Sequence, residues 1–204
     1  MLVETSGGSR PTAELRSYLR PGEELTWIGG PSAAAWFTSA DLFFVPFTVL
    51  WLAFACFWEL AVVASGGPLL FKLWGIPFVA VGSYMAVGRF FVKRYRSART
   101  AYGVTSDRAM IVTRGSFRDL QLRGAPMTVR RTRAGRASVT LGTVDPGSGY
   151  SFLGRSRRRQ YAQYANTGME PLMRSAVWPF AFYDVDNPDA MLAAIDRARA
   201  GSSW

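Results

Sequence analysis

Two long apolar runs broken by Ser65-Gly66-Gly67-Pro68 constrain this chain more than anything else in it. Leu42 to Ala64 is 23 residues with one charge, Glu59, and Pro68 to Val92 carries only Lys72 near one end and Arg89 near the other. At ~1.5 Å per residue the first run reaches roughly 34 Å, enough to cross a hydrocarbon core. A bilayer admits only helices or closed barrels, and neither run alternates as barrel strands do, so both are predicted as helices. The competing reading is a buried helical hairpin in a water-soluble protein. Two adjacent spans this long rarely occur in so small a soluble chain, which argues against it.

Local chemistry fits a hairpin. Asp41 or Ser39 can cap the first helix, Pro46 falls close to its start, and Pro77 is a point for a bend in the second. Gly75, Gly82, Ala86 and Gly88 form a small-residue surface that allows close packing, on the first helix or on another subunit. Aromatic residues gather at both ends, with Trp36, Phe37, Phe90, Phe91 and Tyr95 at one and Trp58 and Trp74 toward the turn. In an antiparallel hairpin, residues equidistant from the turn lie at equal depth. Glu59 and Lys72 are such a couple, about 10 Å of helix from the turn. They are a candidate intramembrane pair, because an unpaired charge in lipid is expensive; the alternative is that each reaches the interface by itself.

The net charge of +10 is concentrated: Lys93 to Gln160 holds 16 Lys or Arg against three acids. A basic block directly after an apolar span calls for an anionic neighbour. Lys93, Arg94, Arg96 and Arg99 follow the second helix at once, whereas the turn carries no charge, so the positive-inside rule places both termini in the cytoplasm. The segment Met1 to Arg20 carries Glu4, Arg10, Glu14 and Arg16 and has no continuous apolar core, so the first long run is the expected insertion signal. There is one cysteine, Cys56, and no histidine. That composition excludes disulfide frameworks, Cys/His metal sites and histidine general-base chemistry, and no cofactor is implied.

Beyond the hairpin, residues 97–204 read as a mostly β domain. Tyr102 to Thr105, Arg108 to Thr113, Ser116 to Leu122, Met127 to Arg133 and Ser138 to Val144 are predicted strands of an antiparallel meander. Residues 145–175 read as a long loop bearing Arg155, Arg157, Arg158 and Arg159. Val177 to Val185 resumes strand character, and Asn187 is the expected cap of a helix over Asp189 to Ala200, with Met191, Leu192, Ile195 and Ala198 on one apolar face. Residues 1–41 form an N-terminal segment with one short strand. The fold class is thus α+β: a two-helix hairpin (42–64 and 68–92), then a meander closed by one helix, the outline of a pleckstrin-homology-like (PH-like) fold.

Particular residues extend that outline to a family. Leu19-Arg20-Pro21-Gly22-Glu23 leads to Trp27 and Gly30-Pro31. Asp41-Leu42-Phe43, Phe57-Trp58-Glu59, Gly75-Ile76-Pro77-Phe78 and Gly88-Arg89-Phe90 mark the spans, and Tyr102, Thr105 and Arg108 form a tyrosine-x-x-threonine-x-x-arginine strand turn. In these features residues 19–144 resemble the bacterial PH-domain membrane proteins, long known only as a domain of unknown function. Gly30 stands where that family has an arginine. The resemblance implies a multi-pass protein of the bacterial cytoplasmic membrane with a PH-like domain on the inner face; it implies no reaction and no ligand.

Four function classes are open to weighing. The leading one is a membrane-anchored binding or scaffolding module, with Lys93, Arg94, Arg96, Arg99, Arg155, Arg157, Arg158 and Arg159 as candidate contacts to anionic headgroups. Lys93 to Arg99 is equally accounted for as a topology determinant alone. An alternative is a subunit of a membrane homo-oligomer, or an accessory protein partnered with a transport or envelope-stress assembly. Nucleic-acid binding has only Tyr161 and Tyr164 beside the arginines in its favour, and tethering to a membrane argues against it. No nucleophile motif, phosphate loop or acid pair at helical spacing is present, so no enzyme is expected; Arg108, after Asp107, is read as shaping a turn.

Overall fold

A computed structural model describes residues 3–4, 9–33, 35, 37, 41–113, 115–132, 135–142, 166–168 and 178–201. The chain divides into two compact units. One comprises Met1–Ala35, Arg94–Ala162 and Ala176–Trp204; the other comprises Trp36–Lys93 and Gln163–Ser175.

The first unit is built on two antiparallel meanders. Strands β2 (Leu25–Gly29), β3 (Thr100–Thr105), β4 (Arg108–Thr113) and β5 (Ser116–Gln121) pair in that order, and a two-residue β1 (Val3–Glu4) adds parallel to β2. Strands β6 (Met127–Arg131), β7 (Ala137–Leu141) and β8 (Phe180–Val185) form the second sheet. One bridge, Pro31 to Val185, joins the sheets at the β2–β8 corner, supported by Ser32 N–H donating to Asp184 O at 2.8 Å. No ladder joins β5 to β6 among the described residues, so the sheets do not close into a barrel.

Strands β3 and β4 are buried on both faces, which is why their sequences run apolar with little alternation. One face meets Trp27, Tyr102, Val104, Val139, Phe182, Met191 and Ile195. Among the described residues its helical members all come from the C-terminal helix. The other face carries Leu25, Ile28, Ala101, Met110 and Val112 and is covered by α1 (Ser9–Ser17) through Leu15. A bulge between Leu25 and Trp27 lets Leu25 and Ile28 share a face despite their odd spacing. Gly103 lets α1 come close, since a Cβ there would lie 3.2 Å from a Leu15 methyl.

The C-terminal helix runs from Pro188 to Ala200, buries Met191, Ala194, Ile195 and Ala198, and leaves Leu192 half-buried. Pro188 occupies the first turn as expected. Asn187 corrects the expectation of a side-chain cap: it makes no capping hydrogen bond and instead takes a left-handed turn at φ 52°, a conformation asparagine tolerates better than most residues.

The second unit contains α2 (Asp41–Ala64), α3 (Leu69–Ser83), a π-helical turn at Tyr84–Gly88 and the first half of α4 (Arg89–Ser97), whose residues from Arg94 onward belong to the first unit; the C-terminal helix of the first unit is therefore α5. The second apolar helix is continuous from Leu69 to Ser97, so it overruns the expected end at Val92 and carries the basic residues as helix. Both helices are long and apolar enough to cross a membrane, and only 11% of the apolar window of each is buried. A core helix of a water-soluble protein would be mostly covered; here Leu42, Phe43, Leu50, Phe57, Leu70 and Trp74 stand exposed.

The N-terminal strand corrects the expected domain boundary. β2 is an inner strand of the same sheet as β3, so the apolar hairpin is inserted within the β unit and does not precede it. Residues 145–175 fall outside the described residues except for Asn166–Gly168.

Candidate functional site

Each unit buries one arginine against acidic side chains, and the two arrangements differ. In the β unit Arg108, at the start of β4, donates from Nε to Glu23 Oε1 at 2.8 Å and from Nη2 to Glu23 Oε2 at 2.7 Å, a bidentate pair. Its Nη1 donates to Asp119 Oδ2 at 2.7 Å, and Nη2 also donates to Tyr18 O at 3.0 Å. Thr105 Oγ1 donates to Glu23 Oε1 at 2.8 Å, and the guanidinium lies 5.7 Å from the Phe117 ring, itself stacked on Tyr18. Hydrogen bonding to Arg108 outweighs burial and draws the Glu23 carboxyl down to about 2. The same partners push Arg108 upward, so it is charged at all working pH values.

Arg108 therefore does more than shape a turn. It ties the chain between α1 and β2 to the β3–β4 turn and to β5. The residues that carried the family resemblance meet here: Glu23 of the leucine-x-proline-glycine-glutamate stretch is held by Thr105 and Arg108 of the strand turn. Tyr102 completes the set. Its hydroxyl accepts from Tyr183 N–H at 3.1 Å, and burial pushes its pKa upward. These residues bind the fold together, and their valences are spent on one another.

In the apolar unit Arg89 and Asp41 are both buried, at 0% and 2% exposure, with Nη1 2.5 Å from Oδ1. Arg89 packs on the Phe90 ring at 4.5 Å and the Phe44 ring at 5.8 Å, while its Nε and Nη2 find no acceptor among the described residues. The π-helical turn lies directly before it. Tyr84 Oη donates to Gly168 O at 2.7 Å, and a Cβ on Gly168, which has φ 82°, would collide with the Arg89 carbonyl oxygen. A legible signal for this pair existed, because Asp41 and Arg89 lie within one residue of equal distance from the hairpin turn.

Glu59 and Lys72, the equal-depth couple, are not among the ion pairs of the described residues. The Glu59 carboxylate turns onto Gly75, where a side chain would collide with it, and its Oε2 is buried without a hydrogen-bond partner among the described residues. Gly75 and Gly82 both pack on the first helix, the latter against Trp51 and Leu52, so these two small residues serve the hairpin itself. Toward the turn, Trp51, Phe54, Ala55, Trp58, Trp74 and Phe78 line an apolar cleft of about 220 Å³.

Of the candidate headgroup contacts, Arg94, Arg96 and Arg99 are exposed. Arg99 stacks on the Tyr95 ring at 3.5 Å. Lys93 departs from the expectation: it is only 5% exposed, so it does not present its charge at the surface. Arg155, Arg157, Arg158 and Arg159 lie outside the described residues. No group of three potential metal ligands occurs among the described residues. No family model, curated protein or solved structure matches the chain.

Proposed function

We propose that this chain is a two-span membrane protein whose helical hairpin anchors a PH-like binding or scaffolding module at the cytoplasmic face of a bacterial inner membrane. The observation that carries the reading is the exposure of two apolar helices of 24 and 29 residues. Water would not tolerate that surface, whereas lipid requires it. A four-strand meander, a three-strand meander and a closing helix support the PH-like assignment. The exposed cations at the end of the second helix support the sidedness and suit anionic headgroups, at about 1 kcal/mol each near a charged surface. Nothing in this reading asks the module to catalyse a reaction.

Fractionation tests the anchor and cysteine labelling tests the sidedness. The full chain is expected to stay in the membrane pellet after alkaline extraction and to leave it only with detergent. In a Cys56→Ser background, Ser65→Cys should react with an impermeant maleimide in intact cells, and Ser106→Cys only after lysis. Recovery of the chain in the supernatant without detergent would overturn the reading, and the opposite labelling pattern would overturn the sidedness.

A further inference from the structure

The β6 edge lies in a stretch of one-sided charge. Residues 120–144 hold five arginines and no acid. β6 pairs only with β7 among the described residues, so its other edge is open. Which of its amides point outward follows from the ladder. Gly142 N–H donates to Pro126 O and Thr132 N–H to Arg136 O, at the two ends of a register that pairs Met127 with Leu141 and Arg131 with Ala137. Hydrogen-bonded and non-hydrogen-bonded pairs alternate along an antiparallel ladder, so Thr128 and Arg130 bond to β7. Met127, Val129 and Arg131 direct their N–H and C=O groups to the open edge.

Side chains frame that edge. Among the described residues, Arg123 and Arg130 are exposed and have no acidic partner, and Arg136 has a buried Nη1 without an acceptor. Met127 and Val129 are half-buried against the core. α5 is tied to the last residue of β6 by Arg131 to Asp189 at 2.8 Å and to the turn before β6 by Arg199 Nη2 to Ala125 O at 3.2 Å. Both charged partners in the Arg131–Asp189 pair are exposed, so it is weak and exchangeable. The open edge of β5 differs, because its charged residues are already engaged: Asp119 by Arg108, and Arg118 by Trp178 O.

We infer that the β6 edge is a docking site for an extended acidic segment of a partner protein, which adds antiparallel or parallel to β6 as a further strand. Backbone hydrogen bonds to Met127, Val129 and Arg131 supply the attachment, and the arginines select the sign of the partner. Charge decides the occupant. A second copy of this edge would place like charges opposite one another, and the chain's own segment 143–165, with four arginines against Asp145, is basic as well. Arginines on an edge also discourage indiscriminate strand pairing, so the selection works in both directions. The inference rests on reading the β unit as a binding module; it does not depend on the anchor, which fractionation tests separately.

The test uses the full chain in zwitterionic detergent micelles and three probes: a fluorescent eight-residue peptide of alternating Val and Glu, the same peptide with Thr for Glu, and vesicles containing phosphatidylglycerol. The acidic peptide is expected to bind, at least tenfold more tightly than the Thr peptide, and to slow amide exchange at Met127, Val129 and Arg131. Val129→Pro removes an outward N–H without touching the β6–β7 ladder and is expected to weaken binding at least tenfold while exchange in β7 stays unchanged. Arg130→Glu is expected to abolish the preference for the acidic peptide. Absence of peptide binding would overturn the proposal. So would binding that survives Val129→Pro but is competed by the anionic vesicles, which would mark the arginines as a lipid contact.

Discussion

The two buried arginines teach what each unit uses its charges for. In the β unit, Arg108 is enclosed by two carboxylates and a carbonyl, and its donors are matched. In the apolar unit, Arg89 has one carboxylate and two aromatic rings, and part of its donor set is unmatched. A matched network holds distant pieces of chain in register and cannot lose a member cheaply. A buried pair with part of its arginine donor set unmatched is close to breaking even against apolar side chains and contributes position more than stability.

The largest expected effect breaks the stronger side of this contrast. Arg108→Ala leaves Glu23 buried and uncompensated and should cost about 3–5 kcal/mol, read as lost hydrogen-exchange protection across β3 and β4. Acid should do part of the same work. The Glu23 carboxyl moves from 4.5 in the unfolded chain to about 2 in the fold. Its depressed value means that its contribution is complete above about pH 4.5 and is lost as pH falls toward 2, at an expected cost of about 2–3 kcal/mol. Glu23→Gln should flatten the stability of the β unit over that window, and an unchanged acid limb would show that another group governs it.

A smaller effect is expected within the apolar hairpin. A Cβ on Gly82 would sit 3.2 Å from Leu52 and Trp51, so Gly82→Leu should overpack the helix pair at about 1–3 kcal/mol, measurable as a lower denaturation temperature in micelles. Gly75→Ala meets the Glu59 carboxylate, which can swing away, and the Trp58 ring at 2.9 Å, which must repack, so its cost is expected within the same range. The smallest effect sharpens the comparison most. Replacing Asp41 and Arg89 together by Leu should change hairpin stability by no more than about 1 kcal/mol, whereas replacing Glu23 and Arg108 together by Leu should remain clearly destabilising, because Asp119, Thr105 and the Tyr18 carbonyl lose their partner. Equal outcomes for the two double variants would erase the distinction between the sites.

The parts of the molecule that could be read from sequence were those governed by local patterns. Apolar runs of sufficient length announced α2 and the helix from Leu69, turn residues separated β3, β4 and β5, and helical spacing found α5. α1 escaped notice because it is short and polar and offers the core little beyond Leu15, with Pro11 in its first turn. The membership of β2 in the sheet escaped because its partner strand begins some 70 residues later, beyond any local pattern. The ion pairs escaped for the same reason. Glu23 and Arg108 are 85 residues apart, and only the fold shows that two motifs read separately are halves of one network. Glu59 and Lys72 stand out because both are charges inside apolar runs; Asp41 and Arg89 share nearly equal depth too, but at the hairpin's ends, where charge is ordinary.

That closure at the hairpin's ends bears on how the chain is made. β2 leaves the ribosome first and must wait while both apolar helices are synthesised before β3 exists to receive it. Without the hairpin, joining them would close a loop of about 70 residues; once Asp41 and Arg89 are side by side, the free chain left to organise is about 20 residues, a saving of about 1 kcal/mol in closure entropy. Assembly of the sheet is thereby favoured by completion of the helical hairpin, so a copy whose hairpin has not closed leaves its first strand waiting longer for a partner.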